Sequence, residues 1–303
     1  MSGDVNGSVR VFSRQVLQLV LEKDLKWPAA EHLRQPQNQQ YVYNRCFNSS
    51  GRRALGPSRY RYGVLRNLIK KIEASILDPE EDEISDDLMD ALSELMAENM
   101  PSEVDAARQR SWVTFEPDTE NNDAIDERSI SLLESRSVIS GGGTTGLRTW
   151  EAALHLGNYL LSPDADTELV SQKCILELGA GTGFLSMLCA KSLGAQKFIA
   201  TDGSEEVVEA MKTNIAVNKC EDVVVAGTLR WGWNLKDTTL ASTLEDGVVD
   251  TVLGADVTYD QSVIPALVST IRHVFEIWPA AKVIISATIR NEETFASFER
   301  ACG

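Results

Sequence analysis

Three glycines at alternate positions, Gly179, Gly181 and Gly183, are the residues of this sequence that most directly suggest ligand chemistry. They follow the apolar run at 174–178 and precede a stretch at 184–193 with helical spacing. Glycine lets a backbone turn sharply and approach a ligand closely, and the first turn of a helix offers unpaired N–H groups. The spacing does not fit the G-x-G-x-x-G pattern of dinucleotide-binding loops, and no Lys-Ser or Lys-Thr follows as in a P-loop. The loop is therefore predicted to hold a ligand that has no pyrophosphate.

One acidic residue, Asp202, follows the next apolar run and lies 23 positions after Gly179. This is near the offset of about 20 residues at which an acidic side chain binds ribose hydroxyls in nucleotide-binding α/β proteins. A carboxylate accepts hydrogen bonds from both hydroxyls at once. Together, the loop and Asp202 predict S-adenosylmethionine, with its methionine portion against the glycines and its ribose on Asp202. A degenerate fold that binds no cofactor is the alternative.

The elements that must position these residues alternate in type from Lys173 onward. Strands are predicted at 174–178, 197–201, 223–229, 248–255 and 282–287, and helices at 184–193, 204–218, 262–277 and 292–301. Such a pattern indicates an α/β fold with a Rossmann-like, doubly wound and mainly parallel sheet. Ligands of these sheets bind at the carboxyl ends of the strands, where both the glycine loop and Asp202 are predicted to lie.

The preceding half of the chain is predicted to be a separate, mostly helical N-terminal domain over residues 1–135, with the α/β domain at 136–303. Apolar spacing predicts helices near 11–21 and 60–72, joined by a polar loop at 35–57. A further helix is predicted after Ser85, which is expected to cap it. A glycine-rich segment at 140–149 leads into a helix predicted from Trp150 to Leu161.

The formal net charge of −16 comes largely from one segment, 73–127, which carries 19 acidic and 2 basic residues. A solvated acidic helix face is the expected interpretation, and a docking surface for a basic partner is the alternative. Direct binding of nucleic acid is not expected, because phosphate contacts need clustered Lys and Arg. Apolar runs stay well short of about 18 residues and the N-terminus lacks the apolar centre of a signal peptide, so neither a membrane span nor secretion is expected. We predict a cytoplasmic monomer.

Neither metal chemistry nor nucleophilic hydrolysis is predicted. The five cysteines are widely spaced and form no C-x-x-C pair, which is typical of reduced thiols rather than of a zinc site or a disulfide framework. The three histidines, His32, His155 and His273, are scattered over different predicted elements and suggest no Ser-His-Asp arrangement.

Several sequence blocks resemble a known family. Residues 177–183 resemble the first motif of class I, seven-strand methyltransferases. Thr-Thr-Gly-Leu-x-Thr-Trp at 144–150, Ala-Asp-Val-x-Tyr at 255–259 and Thr-x-Arg-Asn-x-Glu-Thr at 288–294 resemble the family 16 protein lysine methyltransferases, and within them the group that methylates a lysine of translation elongation factor 2. The region around 17–28 also resembles the N-terminal domain of that group, so the resemblance covers nearly the whole chain.

The resemblance implies a set of site residues. The cofactor would be bound by Trp150, Glu177, Gly179, Ala180, Gly181, Gly183, Asp202, Trp231 and Ala255. Trp233 also follows the third predicted strand, so the choice between Trp231 and Trp233 stays open, although spacing favours Trp231. Asp256 and Tyr259 would line the lysine channel. Val257-Thr258 stands where enzymes that methylate bases have Pro-Pro, which favours an amine other than a flipped base.

The predicted function is methyl transfer from S-adenosylmethionine, with S-adenosylhomocysteine as product, to a protein lysine, most specifically on elongation factor 2. Asp256 would orient the lysine, and Tyr259 would form an aromatic wall beside it. Class I methyltransferases usually continue after the fifth strand and its helix with an antiparallel hairpin. Because the given sequence stops at Gly303, we expect this hairpin to be missing. One alternative is an inactive cofactor-binding or interaction protein, because of this short C-terminus. The other alternative is a small-molecule N-methyltransferase.

Overall fold

In a computed structural model of the chain, the alternating half folds into five parallel strands. In chain order these are β1 (Cys174–Leu178), β2 (Lys197–Asp202), β3 (Val224–Thr228), β4 (Thr251–Ala255) and β5 (Lys282–Ser286). Their order in the sheet is β3-β2-β1-β4-β5, with Leu176 of β1 opposite Ile199 of β2 and Val252 of β4. The predicted α/β, parallel, doubly wound fold is confirmed.

Five helices flank these strands in the sequence: α1 (Glu151–Leu160), α2 (Phe184–Ser192), α3 (Glu205–Val217), α4 (Ile264–Ile277) and α5 (Glu292–Cys302). Every residue of β1 is buried, as expected for a central parallel strand covered on both faces. Strand order reverses between β1 and β4, so the segments that leave these two strands diverge at the carboxyl edge and open a cleft there.

The structure describes residues 5–49, 55–102, 105, 109–118, 121–135, 145–235 and 248–303. The glycines at 141–143 and Thr144, which the sequence singled out, lie outside the described residues. The chain divides into two compact units, Met1–Glu120 and Asn121–Gly303. The second unit also contains a helix Asn122–Arg128, a strand Ile130–Ser135, a short helix Pro163–Ala165 and a π-helical turn Asp166–Val170.

The first unit is built around its own apolar core, in which Phe12, Leu65 and Leu68 are fully buried. Its helices are Gly7–Leu17, Ala30–Leu33, Pro36–Val42, Ser58–Glu73 and Asp86–Ala97, with a 3₁₀ turn Glu22–Asp24, a π-helical turn Tyr43–Phe47 and a strand Arg110–Phe115.

Two local predictions for this unit are wrong. The polar loop predicted at 35–57 is helical from Pro36 to Phe47, because Tyr41, Val42 and Phe47 are buried in the core and outweigh the Gln-rich and Asn-rich composition. Ser85 precedes helix Asp86–Ala97 as predicted, but its side chain makes no capping hydrogen bond. Its backbone N–H donates instead to Oε1 of Gln39, at 2.8 Å.

Among the helices that the structure describes, none is both long enough and apolar enough to cross a membrane.

Candidate active site

A cavity of about 660 Å³ opens at the carboxyl ends of β1 and β4. All of the predicted site residues except Gly183 line it: Trp150, Glu177, Gly179, Ala180, Gly181, Asp202, Trp231, Ala255, Asp256 and Tyr259. Gly183 stands instead at the start of α2, where it adopts φ +81° and packs against Met211. The fold thus brings together residues that are up to 109 positions apart in the sequence.

The glycine loop leaves β1 in a backbone conformation that requires glycine. Gly179 has φ +72°, and a Cβ at this position would lie 2.9 Å from Cγ1 of Val257 and 3.2 Å from Cζ2 of Trp231. Gly181 has φ +55°, and a Cβ there would lie 3.0 Å from the backbone oxygen of Gly146. Because L residues rarely adopt these angles and the space is already filled, the loop can pass this close to its neighbours only with glycine.

Asp202 is held at the end of β2 by backbone N–H groups. Its Oδ1 accepts a hydrogen bond from the N–H of Ser204 at 3.0 Å, and its Oδ2 accepts one from the N–H of Gly181 at 3.3 Å. Burial raises the pKa of this carboxyl, and the backbone donors partly oppose the increase. The glycine loop and Asp202, which the sequence spacing assigned to one ligand, are therefore in direct contact through this hydrogen bond from Gly181.

A second carboxyl, Glu177 of β1, is buried in the same wall. Its Oε2 has no hydrogen-bond partner among the described residues. Burial raises the pKa of Glu177 well above its usual range, and the charge of Asp202 raises it further. A buried polar atom without a partner is costly, so Glu177 is suited to pair with a polar group of a ligand in the cavity.

Two tryptophans form aromatic walls. Trp150 donates from Nε1–H to the backbone oxygen of Thr145 at 3.1 Å, and guanidinium groups of Arg148 and Arg290 lie 5.4 and 5.3 Å from its ring centroid. Trp231 lines the cavity beside Gly179, whereas Trp233 is 60% exposed and does not.

Asp256 lies directly after β4 in a constrained backbone conformation. It has φ +59°, which is uncommon for a residue other than glycine, and its N–H donates to the backbone oxygen of Ser286 at 2.7 Å. Arg290 forms a bidentate ion pair with this carboxylate, in which Nη1 donates to Oδ1 at 3.0 Å and Nη2 donates to Oδ2 at 2.8 Å. The N–H of Thr288 also donates to Oδ1, at 3.3 Å. The hydrogen bond to Asp256 raises the pKa of Arg290, and both carboxylate oxygens of Asp256 are paired with this guanidinium.

Tyr259 lies on the more open side of the cavity, with 57% of its surface exposed. The site thus has one end with the fully buried Glu177 and with Asp202, called the buried end below, and another end with Asp256, Arg290 and Tyr259. At this second end Arg290 and Tyr259 are exposed to solvent, whereas Asp256 is itself buried.

The sequence did not predict the following lining residues: Thr145, Arg148, Thr149, Thr182, Arg230 and Arg290. Arg148, Thr149 and Arg290 stand within the blocks at 144–150 and 288–294 that resembled the family, so their positions were visible although their roles were not. The hydroxyl of Thr149 lies 2.7 Å from that of Thr182 and donates to Oε1 of Glu134 at 2.5 Å. Burial raises the pKa of Glu134 to about 7.

In the parts of the chain that the structure describes, no three His, Cys, Asp or Glu side chains gather closely enough to hold a metal ion. None of the three histidines lines the cavity.

Comparison with known sequences decides the family. Residues 132–301 match the family described as Lysine methyltransferase. The chain belongs to this family. The prediction made from the motif blocks is therefore confirmed, as is the predicted enzyme class, protein-lysine N-methyltransferase.

Relatives of this lysine methyltransferase align along most of its length. The Protein-lysine N-methyltransferase EFM3 of Chaetomium thermophilum is 46% identical over 287 residues, which cover 94% of this chain and 84% of the relative. EFM3 of Saccharomyces cerevisiae is 32% identical over 209 residues, covering 62% of this chain and 59% of the relative. The human Protein-lysine N-methyltransferase EEF2KMT is 27% identical over 303 residues, covering 95% of this chain and 77% of the relative.

Proposed function

We propose that this lysine methyltransferase transfers a methyl group from S-adenosylmethionine to a lysine side chain of translation elongation factor 2, and that it does so in the cytoplasm as a monomer without a metal. The observation that carries the proposal is the cavity itself. One end has the acceptors and glycine loop that a nucleoside needs, and the other has a charged pair and an exposed aromatic ring suited to an amine.

Four features of the residues around the buried end fit the cofactor. Asp202 is anchored by backbone N–H groups and retains acceptor capacity for ribose hydroxyls. Glu177 has a buried oxygen in need of a partner. At Gly179 the backbone lies against the Trp231 ring, so the glycine loop and the flat indole form one continuous part of the cavity wall. Arg148, stacked on Trp150, offers a cation for the carboxylate of the methionine tail.

When bound, the cofactor would supply a methyl group carried on a sulfonium sulfur. The lysine nitrogen would form a bond to the methyl carbon in line with the breaking carbon–sulfur bond, whose electron pair would stay on the sulfur. The protein must present that nitrogen as a neutral amine. A free lysine has a pKa near 10.4, so its neutral form costs about 4 to 5 kcal/mol at pH 7. Desolvation beside Trp150 and Tyr259 lowers this cost, and alignment of the side chain in a narrow channel supplies the rest of the acceleration.

Tyr259 is proposed to act after the first transfer as well as before it. A methylated lysine remains cationic at neutral pH, and an aromatic face attracts such a group with about 0.5 to 2 kcal/mol. Because Tyr259 is exposed on one side and lines the cavity on the other, its ring would meet the lysine as it enters.

The choice of a protein substrate rests on the relatives and on the length of the chain. The aligned relatives are named protein-lysine N-methyltransferases, and the name EEF2KMT together with the motif blocks supports elongation factor 2. The helical unit before residue 121 is proposed to recognise the folded substrate, since a small molecule would not need it.

The test is transfer of labelled methyl from S-adenosylmethionine into purified, unmethylated elongation factor 2 and into a cytosolic extract. We expect a labelled band at the mass of elongation factor 2, with the site identified by mass spectrometry as a lysine. Asp202→Asn should abolish most of the signal, whereas the matched exposed variant Asp164→Asn should not. Label confined to small molecules, or no label with cofactor-saturated protein, would refute the proposal.

A further inference from the structure

The pairing of Asp256 with Arg290 is not explained by the proposed function, and it bears on how that function works. A lysine channel with an acidic residue at its end suggests a carboxylate that meets the incoming ammonium. In this structure, both oxygens of Asp256 are instead engaged by one guanidinium, at 3.0 and 2.8 Å, with Thr288 N–H as a further donor.

Ionisable side chains from several neighbouring elements surround the Asp256–Arg290 pair. Glu151, at the start of α1, places Oε2 3.8 Å from Nη2 of Arg290. Arg148 lies over the same Trp150 ring as Arg290. The other ionisable groups of the cavity wall are Tyr259 and Arg230, and Glu177 and Asp202 at the buried end. Of the described cationic groups in the lining, Arg290 is the one that contacts Asp256.

An unpaired carboxylate at Asp256 would oppose the reaction. A negative charge within about 4 to 6 Å raises the pKa of an ammonium by 1 to 3 units, which makes the reactive neutral amine 10 to 1,000 times rarer. The side chain of Asp256 is only 8% exposed, so solvent would weaken this effect little. The enzyme needs the hydrogen-bonding oxygens of Asp256 without its net charge.

We propose that Arg290 is a positioning residue that cancels the charge of Asp256, so that the substrate lysine occupies the channel as a neutral amine while Asp256 still orients it. This inference rests on the proposed function. The amine gives up its proton to water at the more open side of the cavity, near Tyr259, before transfer. Arg290 is suited to the role because a guanidinium stays protonated at any working pH and its planar fork fixes both oxygens of Asp256.

The decisive measurement is kcat as a function of pH with saturating cofactor and elongation factor 2, since this profile reports ionisations in the bound complex. In Arg290→Gln, the bare carboxylate should move the acidic limb of the profile about one unit toward alkaline pH. At pH 7.5, kcat should therefore fall about tenfold, while KM for the protein stays the same or decreases. A purely structural role would instead raise KM or weaken cofactor binding without moving the limb.

With three further variants, the test does not depend on whether the single variant Arg290→Gln folds correctly. Arg290→Lys keeps a positive charge and should restore most of the native limb. Asp256→Asn leaves Arg290 unopposed and should move the limb in the opposite direction, toward acidic pH. In Asp256→Asn/Arg290→Gln both charges are gone, so the limb should return close to its native position even though the rate is lower. Calorimetry with S-adenosylhomocysteine checks that each variant binds cofactor.

An acidic limb that stays in place in both Arg290→Gln and Asp256→Asn would overturn the inference. So would a gain in kcat/KM in Arg290→Gln, because it would mean that Arg290 competes with the lysine for Asp256. These outcomes are distinct from failure of the proposed function, in which the native enzyme transfers no methyl to elongation factor 2 and both proposals fall together.

Discussion

Asp202 and Asp256 line the same cavity, but their carboxylates are stabilised in opposite ways. Asp202 is held by the backbone N–H groups of Gly181 and Ser204, which are neutral. Asp256 is held by the guanidinium of Arg290, which is charged. Neutral donors orient a carboxylate and leave its charge in place, whereas a guanidinium also cancels that charge.

This difference matches what each end of the cavity is proposed to handle. Ribose hydroxyls are neutral donors, and they bind most strongly to an acceptor that keeps its charge. An amine that must be unprotonated is better served by an acceptor whose charge is cancelled. Burial raises the pKa of Glu134 and of Glu177, as it raises that of Asp202. The buried end is thus organised by neutral donors and the other end by an ion pair.

Removing Asp202 should break this comparison most clearly. Asp202→Ala should weaken binding of S-adenosylhomocysteine about 100-fold, because the two charge-assisted hydrogen bonds that we propose from the ribose to Asp202 would be lost. Isothermal titration calorimetry measures the affinity. Asp256→Asn serves as the matched control at the other end and should change the affinity by no more than about twofold. Equal losses in the two variants would contradict the division between a cofactor end and a lysine end.

The fold of the second unit was largely predictable from the sequence. The five strands and their helices begin and end within about three residues of the predicted bounds, because each short apolar run is bordered by polar residues and followed by helical spacing. The exception in the first unit is instructive. Helix Pro36–Val42 has few apolar residues, and the burial of Tyr41 and Val42 that stabilises it depends on residues distant in sequence.

The candidate site was predictable where its residues adjoin strand ends and hidden where they meet across the fold. Gly179 and Asp256 each follow a strand and Asp202 is the last residue of one, so their common location follows from parallel topology. The pairing of Asp256 with Arg290 spans 34 positions and joins the ends of neighbouring strands, which spacing alone does not reveal. The contact of Thr149 with Glu134 likewise depends on packing of a strand outside the main sheet.

Glu134 extends the comparison to stability. Burial raises the pKa of Glu134 from its ordinary value of 4.5 to about 7, so the folded protein holds a proton that the unfolded chain releases. The stabilisation that comes from this group is complete below pH 4.5 and is lost as pH rises toward 7. Glu134→Gln removes the ionisation and can still accept the hydrogen bond of Thr149. Between pH 5.5 and pH 8, the free energy of unfolding of this variant should increase relative to the native protein by about 2 kcal/mol, as measured by urea denaturation.

Glu168→Gln provides the control for that measurement. Glu168 is exposed, and the neighbouring Lys282 holds its pKa below the ordinary value. Its substitution should therefore give no gain in stability at pH 8. If Glu134→Gln showed the same pH dependence as the native protein, the ionisation of Glu134 would not be linked to folding, and the raised pKa of this buried carboxyl would be wrong.

The smallest expected effect distinguishes the two tryptophans and sharpens the boundary of the cofactor end. Trp231 lies against Gly179 in the cavity wall, whereas Trp233 is largely exposed beneath the guanidinium of Arg230, 5.4 Å from its ring centroid. Trp231→Ala should weaken binding of S-adenosylhomocysteine about tenfold, which corresponds to about 1.4 kcal/mol of lost aromatic contact. Trp233→Ala should alter it by less than about twofold in the same calorimetric titration. A larger loss in Trp233→Ala than in Trp231→Ala would assign the aromatic wall to the other tryptophan, and the buried end would then extend to the surface around Arg230.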